Sequence, residues 1–498
     1  MSVTLREPVS KVDNAWWHMD TADNHMVVTS VLIFDRPVDY AAVRAVFEER
    51  MLKFERFRQR IVRPLRDLGE PQWELDPSFD IDAHMHRVAL PPPGGEAELR
   101  ELVSEITSRP LDAAKPLWED WIVDGYSGGG ALITRIHHCV ADGIALTRLL
   151  LSLTDDDDED APVGEPEWWQ VQPRRLAGAH KHRGSVGMAA HLAALVAREG
   201  VTSVLHPSHA AELVREGAGE LAALTRVTFL PEEAKTSLKG ALGTRKVVAW
   251  SDLIPLDEVR DAAHAVKGTV NDVLVSTVAG GLRRYLIARG DDVPESLELH
   301  ATVPVNLRPL DGPIEMGNRF GLVYPALPVG IADPHQRLRA VKANIDKIKG
   351  TPEAVMAIGV LDMLGHTPQA IEKLFIDFFT TKSSMVLTNV PGPRHFRRFA
   401  GARLTRVVSW APPSGNLAMS VSIFSYAGSI TVALQTDAAT IPDPQSIVDA
   451  IHTELDALRR AGVRRRPASP TTSRRGTRTT SSPARSRRAP SRVPRRAG

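Results

Sequence analysis

Cysteine is almost absent. The single residue, Cys139, excludes an intrachain disulfide and any thiolate-rich zinc or iron–sulfur site built within one chain. That usage suits a reducing, cytoplasmic setting. Long apolar runs are missing too: no stretch approaches the ~18 consecutive apolar residues of a membrane span. Met1 to Asn14 mix charges with Pro8 and hold no apolar block, so no secretory leader is expected. Any membrane contact is therefore expected to be peripheral. No short repeat is found.

What is present is ordinary for a globular chain: 43% hydrophobic and 24% charged residues over 498 positions, enough for two or three domains and a large core. The net charge of +1 conceals an asymmetry. Residues 459–498 contain 14 arginines and no Lys, Asp or Glu, which leaves 47 basic against 60 acidic residues in the rest. An acidic body with a basic tail does not fit a nucleic-acid-binding domain, and no nucleic acid partner is expected.

The chain reads as two α/β halves and two irregular segments. In residues 1–160, strands are expected at Ser30 to Phe34, Phe54 to Val62, Trp121 to Asp124 and Ala131 to Ile136. Helices are expected at Tyr40 to Lys53, Glu96 to Thr107 and Ile144 to Leu153. The acidic block Asp155 to Asp160 is expected to be a solvated linker, since it lacks the Gly turn and distal Glu of a calcium loop. Residues 161–235 form a connecting region. Within it, Val186 to Val204 is amphipathic and follows Trp168, Trp169 and a basic cluster, which suits either a membrane surface or packing on the body.

The second half, 236–460, carries helices at Leu256 to Val266, Asn271 to Ala288 and Asp443 to Arg460. Its strands are expected at Val247 to Ser251, His300 to Val305, Met385 to Asn389, Val407 to Trp410, Leu417 to Phe424 and Ser429 to Gln435. From 461 onward the Arg/Ser/Pro/Thr composition cannot bury a core and is expected to be disordered, free to touch anionic lipid or nucleic acid.

The chemistry concentrates in His137-His138-Cys139-Val140-Ala141-Asp142-Gly143, a loop between an expected strand and an expected helix. Adjacent residues leaving a strand point in opposite directions, so His137 and His138 have different tasks. A histidine near its ordinary pKa of ~6.5 accepts a proton at neutral pH, which activates a hydroxyl nucleophile. Asp142 is placed to shape the loop, and Gly143 to supply a backbone angle that other residues resist. A metal held by His138 and Asp142 lacks a third ligand, and no metal site is expected. Cys139 is read as small apolar packing rather than as a nucleophile.

His137 to Gly143 resembles the HHxxxDG motif of coenzyme-A-dependent acyltransferases with the chloramphenicol-acetyltransferase-like fold. The chain as a whole, over roughly residues 8–460, resembles the bacterial wax ester synthase/acyl-CoA:diacylglycerol acyltransferase family. Pro116-Leu117-Trp118 matches a PLW motif and Asn271-Asp272 an ND motif. Val303 to Arg308 with Gly317-Asn318-Arg319-Phe320, and Thr388-Asn389-Val390-Pro391-Gly392-Pro393, resemble two further blocks. The HH motif alone is shared with peptide-synthetase condensation domains; the joint set is far more specific. The Arg-rich tail departs from the family pattern, as does Cys139 in a variable slot.

The resemblance implies two mixed-sheet halves with a tunnel between them. It implies His138 as general base with His137, Asp142 and Gly143 in support, and acyl-CoA as co-substrate with no bound cofactor. Diacylglycerol or a fatty alcohol would be the acceptor, at a membrane or lipid-droplet surface on the cytoplasmic side. Asn271 is either a donor to a developing oxyanion or a helix N-cap, with Asp272 as a first-turn acid. Pro116, Leu117 and Trp118 are expected to pack the tunnel wall. Asn389 and Gly392 mark a strand-to-turn transition where substrate or backbone comes close. Arg308 is a candidate for holding either an internal carboxylate or a coenzyme A phosphate. An amine or carrier-bound acceptor, and a non-catalytic lipid-surface role, are the competing readings.

Overall fold

The computed structural model describes residues 6–63, 70–157, 233–265, 267–306, 314–348 and 380–464. The connecting region with Val186 to Val204, the position Arg308 and nearly all of the Arg-rich tail lie outside the described residues.

The first half opens with β1 (Glu7–Pro8) and α1 (Lys11–His18). Ser10 caps α1, its hydroxyl accepting the Asp13 N–H at 3.1 Å. Next come β2 (Val27–Phe34) and α2 (Tyr40–Glu49), the latter capped by Asp39. The strand expected from Phe54 begins only at Gln59, as β3 (Gln59–Val62). Glu55–Arg58 form a 3-10 turn instead, because Phe57 is buried edge-on against Trp118 and its carbonyl accepts the Trp118 Nε1–H at 2.8 Å. Tertiary packing overrides the strand-like pattern there.

Then follow β4 (Gln72–Leu75), β5 (Met85–Ala89), α3 (Glu96–Thr107), β6 (Trp118–Asp124), β7 (Gly130–His137), α4 (Gly143–Leu153) and β8 (Asp155–Asp156). The second half supplies β9 (Lys246–Trp250), β10 (Ile254–Pro255), α5 (Leu256–Ala265), α6 (Val270–Arg289), β11 (Leu299–Asn306), β12 (Phe320–Val323), β13 (Ala326–Leu327) and α7 (Pro334–Ile348). It ends with β14 (Met385–Pro391), β15 (Arg397–Phe399), β16 (Ala402–Trp410), β17 (Met419–Tyr426), β18 (Ser429–Asp437) and α8 (Pro444–Arg464).

Two large mixed sheets result. One runs β5-β6-β7-β2-β16-β15-β8, with β5 and β6 parallel. The other runs β10-β18-β17-β14-β11-β12, with β9 added on β18 and β13 on β11. β11, β14 and β17 are parallel neighbours within it.

The strand at Val407 to Trp410, expected in the second half, belongs to the first sheet. β16 pairs antiparallel with β2, from Leu404 opposite Phe34 to Trp410 opposite Thr29. Its alternation buries Val407 on one face and Val408 and Trp410 on the other, where Trp410 stacks on Trp250 of β9. A segment late in the chain thus completes the early sheet and fastens the halves together.

The acidic block is also not a free linker over its described residues. Asp155–Asp156 pair with β15, and the carboxylates meet arginines: Asp155 with Arg50 at 2.9 Å, Asp156 with Arg397, and Asp157 with Arg403 at 2.8 Å. Among the described residues, no cluster of His, Cys, Asp and Glu could hold a metal ion. Among them, too, no helix is long and apolar enough to cross a membrane.

Candidate active site

β7, an inner strand of the first sheet, ends at His137 and α4 leaves from Asp142, so the HHxxxDG loop is pinned at both ends by regular structure. Asp142 is the N-cap of α4, its Oδ1 accepting the Ala145 N–H at 2.9 Å. Its Oδ2 accepts the Arg319 N–H, 3.0 Å away, from the second half. The Gly317 N–H donates to the Val140 carbonyl at 2.7 Å, and the Asp142 N–H to the Gly317 carbonyl at 3.3 Å. Gly317 sits at φ +88°, which favours glycine, and a Cβ there would come within 3.1 Å of Asp13 Oδ2. The Gly317-Asn318-Arg319 turn is therefore shaped to lie against the HHxxxDG loop.

The two histidines face different surroundings. His137 Nδ1 accepts the Cys139 N–H at 3.1 Å, and its Nε2 lies 3.2 Å from Asp20 Oδ2. Burial by itself would raise the pKa of Asp20. Hydrogen bonds from His137, His25 and the Met26 N–H outweigh burial and hold the carboxyl well below the usual range.

His138 is buried, with its ring stacked on Trp16 at 4.1 Å between centroids and edge-on to Phe320 at 5.7 Å. Burial pushes its pKa down to about 4, against the opposing pull of Asp142. The imidazole is thus neutral at physiological pH. Among the described residues its Nδ1 has no hydrogen-bond partner in another residue. The backbone of His138 is held on both sides: its N–H donates to the Met26 carbonyl and its carbonyl accepts Asn318 Nδ2–H, each at 2.7 Å. Asn318 is fixed in turn by Asp13 Oδ1, which accepts its N–H at 3.0 Å and its Nδ2–H at 2.7 Å. Cys139 is fully buried, and burial pushes its thiol well above its ordinary pKa, which removes it as a nucleophile.

His138 lines a cavity of about 750 Å³ walled by both sheets, α4 and the start of α6. Asp142, Gly143, Asn271 and Asn389 line the same cavity. Asn271 is not the helix cap. Thr269 is, with Asp272 closing a capping box: the Thr269 hydroxyl accepts the Asp272 N–H and Asp272 Oδ2 the Thr269 N–H. Asn271 Oδ1 instead accepts Asn389 Nδ2–H at 2.8 Å, which joins the ND and NVPGP motifs across the cavity wall. Among the described residues the Asn271 amide N–H group has no acceptor, so it remains available to a ligand.

Several expectations need correction. Gly143 has no positive φ, and a Cβ there would meet nothing within 4 Å; it opens space at the helix start rather than supplying a special backbone angle. Asp272 is fully buried in its capping box and does not reach the cavity lining. Pro116, Leu117 and Trp118 stand behind the wall. Leu117 accepts the His137 N–H at 3.0 Å, while Trp118 stacks on His84 and backs Phe47, which does line the cavity. β6 lies one strand farther from the site than β7, with Phe47 of α2 and Phe57 packed edge-on against Trp118. Gly392 makes room for protein, not substrate: a Cβ would fall 2.5 Å from the Phe424 ring and the Ser425 carbonyl.

Asp13, Trp16, Asp20 and the backbone-bracing role of Asn318 and Arg319 escaped the sequence reading. The signal for α1 was there: Ser10 as cap, then Val12, Ala15, Trp16 and Met19 at helical spacing.

Comparison with known proteins identifies the lineage. Residues 9–274 match the model of the wax ester synthase/diacylglycerol acyltransferase catalytic domain, and residues 316–459 that of the WS/DGAT C-terminal domain. A Mycobacterium tuberculosis protein assigned as a diacylglycerol O-acyltransferase is 30% identical over 469 residues, covering 90% of this chain and 97% of its own. The solved wax ester synthase/diacylglycerol acyltransferase of Marinobacter aquaeolei VT8 shares the fold, with a TM-score of 0.64 at 22% identity over 92% of this chain and 99% of that one. The first condensation domain of the calcium-dependent antibiotic synthetase superposes less closely, with a TM-score of 0.55 at 16% identity, covering 92% and 96%. Both structures share the two-halved, chloramphenicol-acetyltransferase-like α/β architecture described above. The chain belongs to the wax ester synthase/diacylglycerol acyltransferase family.

Proposed function

We propose that this protein transfers a fatty acyl group from acyl-CoA to the hydroxyl of a diacylglycerol or a long-chain alcohol, with His138 as the general base. The observation that carries this reading is a buried imidazole, fixed through its backbone, on the wall of a largely apolar cavity. The alcohol binds with its hydroxyl beside His138. His138 takes the proton as the oxygen attacks the thioester carbonyl. The tetrahedral oxyanion collapses, the carbon–sulfur bond breaks, and the coenzyme A thiolate leaves with the proton returned from His138. Acyl-CoA is a co-substrate, and no step is routed through a metal.

A base with a pKa near 4 in the empty site is fully available but weak. The Asp142 carboxylate already favours the imidazolium in the empty site, and the developing oxyanion adds to it once chemistry starts, so the basicity of His138 rises along the reaction path. The Asn271 side-chain N–H is the proposed oxyanion donor. Asn389 orients it through their amide–amide bond.

The acceptors at issue partition into lipid, so a peripheral location on a membrane or lipid-droplet surface, on its cytoplasmic side, is part of this proposal. Thiol release from palmitoyl-CoA with hexadecanol, diolein or an amine as acceptor tests it. Release dependent on either alcohol supports the reading and ranks the two. Release dependent only on the amine would replace it with a condensation-type reaction.

A further inference from the structure

The cavity floor is not uniformly apolar. Strand register places Asp120 of β6 opposite Thr134 of β7, Thr134 opposite Ser30 of β2, and Ser30 opposite Ser409 of β16. These four residues form one polar row across four strands. The row on one side of it, two residues along each strand, is Ile122, Leu132, Leu32 and Val407. Thr134, Ser30 and Ser409 line the cavity and are half-buried, whereas Asp120 is completely buried behind them.

The hydrogen bonds within the row are incomplete. Thr134 Oγ1 and Asp120 Oδ1 are 2.6 Å apart, and the Ser30 hydroxyl donates to Ser409 Oγ at 2.8 Å. That leaves the Ser409 hydroxyl proton, for which the described residues offer no acceptor. Asp120 Oδ2 likewise has no partner among them. A donor left over in an apolar cavity loses free energy unless a ligand or water accepts from it.

Depth distinguishes the possible ligands. Thr134 lies four residues before His138 along a strand rising about 3.3 Å per residue, and Ser409 two strands farther over at about 4.8 Å each. The free donor is thus on the order of 15 Å from the reacting centre. The ester groups of a diacylglycerol, only a few bonds from its free hydroxyl, fall well short of that.

We propose that Ser409, held by Ser30, donates a hydrogen bond to an oxygen carried part-way along a lipid chain, so that the cavity favours mid-chain hydroxylated substrates over plain hydrocarbon chains. This rests on the acyltransfer reading for its physiological meaning, but binding tests it independently. The experiment compares 12-hydroxystearate with stearate, and octadecane-1,12-diol with octadecanol, by titration of wild type, Ser409→Ala and Ser30→Ala/Ser409→Ala. Wild type should favour the hydroxylated ligand of at least one pair by about 2- to 10-fold, the worth of one neutral hydrogen bond, and both variants should lose that preference. The double variant removes both hydroxyls and leaves no orphaned partner. The pair that responds tells whether the oxygen rides on the acyl or the alcohol chain. No preference in wild type for either pair, or a preference that survives in both variants, overturns the proposal and leaves the row as a hydrated floor. Turnover of stearoyl-CoA with octadecanol, measured alongside, reports separately on the acyltransfer reading.

Discussion

Replacing Asp142 separates scaffold from chemistry at the HHxxxDG loop. Its two carboxylate oxygens have different structural tasks. One caps α4 through Ala145, and the other holds the Arg319 N–H of the second half. Asp142→Ala removes the cap, about 1 kcal/mol, and strands a donor at the junction, about 1–3 kcal/mol. The sum, about 2–4 kcal/mol, is a large share of a typical folding stability. Asp142→Asn keeps one acceptor oxygen, which can serve Ala145 or Arg319 but not both, so about half of that loss is expected. Urea denaturation followed by tryptophan fluorescence reads both values. Turnover, measured at urea-free conditions where each variant is folded, should fall for both, because His138 loses a favourable charge when it is protonated. Asp142→Ala as stable as wild type would refute the scaffold role. An Asp142→Asn protein of wild-type stability with no turnover would recast Asp142 as a proton carrier.

Three further outcomes follow from burial and charge. Trp16→Ala admits water around His138 and should raise its pKa from about 4 toward ~6.5. The base works above its pKa and fails as pH falls through it, so the acid limb of kcat/KM should move up; an unmoved limb would deny that Trp16 keeps the ring dry. Burial raises Asp120 to about 7, so its native state holds a proton that the unfolded chain releases near pH 4. Stability should therefore fall as pH rises from about 4 through about 7. Asp120→Asn should relieve that by on the order of a few kcal/mol at pH 8 and by little near pH 4, and an equal effect at both would contradict it. Glu454 pairs with the buried Arg337 and, at 2.5 Å, with Arg284. Glu454→Ala should cost about 3–5 kcal/mol in urea denaturation, whereas loss of the exposed Lys342–Asp346 pair should leave the transition almost unmoved.

Local pattern carried much of this molecule. The helix at Glu96 to Thr107 coincides with its observed span, because Leu99, Val103 and Ile106 mark one buried face. The strand before His137 and the helix after Asp142 were legible for the same reason, and so was the motif between them. What local pattern does not encode is partnership. Nothing around Val407 announces that its neighbour is β2, nearly four hundred residues earlier. The PLW residues look like tunnel wall until the register puts β6 one strand beyond β7. The Gly317-Asn318-Arg319 turn was visible as a motif, but its task depends on Asp13 and on the His138 carbonyl, both remote in sequence. The charged residues of α1 mask a short buried face in the sequence, yet α1 carries the Trp16 ring that stacks on His138.

The claim on which the rest depends is that His138 moves the proton. Coenzyme A thiol release from palmitoyl-CoA in the presence of hexadecanol or diolein, for wild type beside His138→Ala, tests it most directly. Folding of the variant is verified by its tryptophan fluorescence and urea transition. The account predicts alcohol-dependent release in wild type and a loss of about 10²–10⁴-fold in the variant. A well-folded His138→Ala protein that kept near-normal alcohol-dependent release would contradict it.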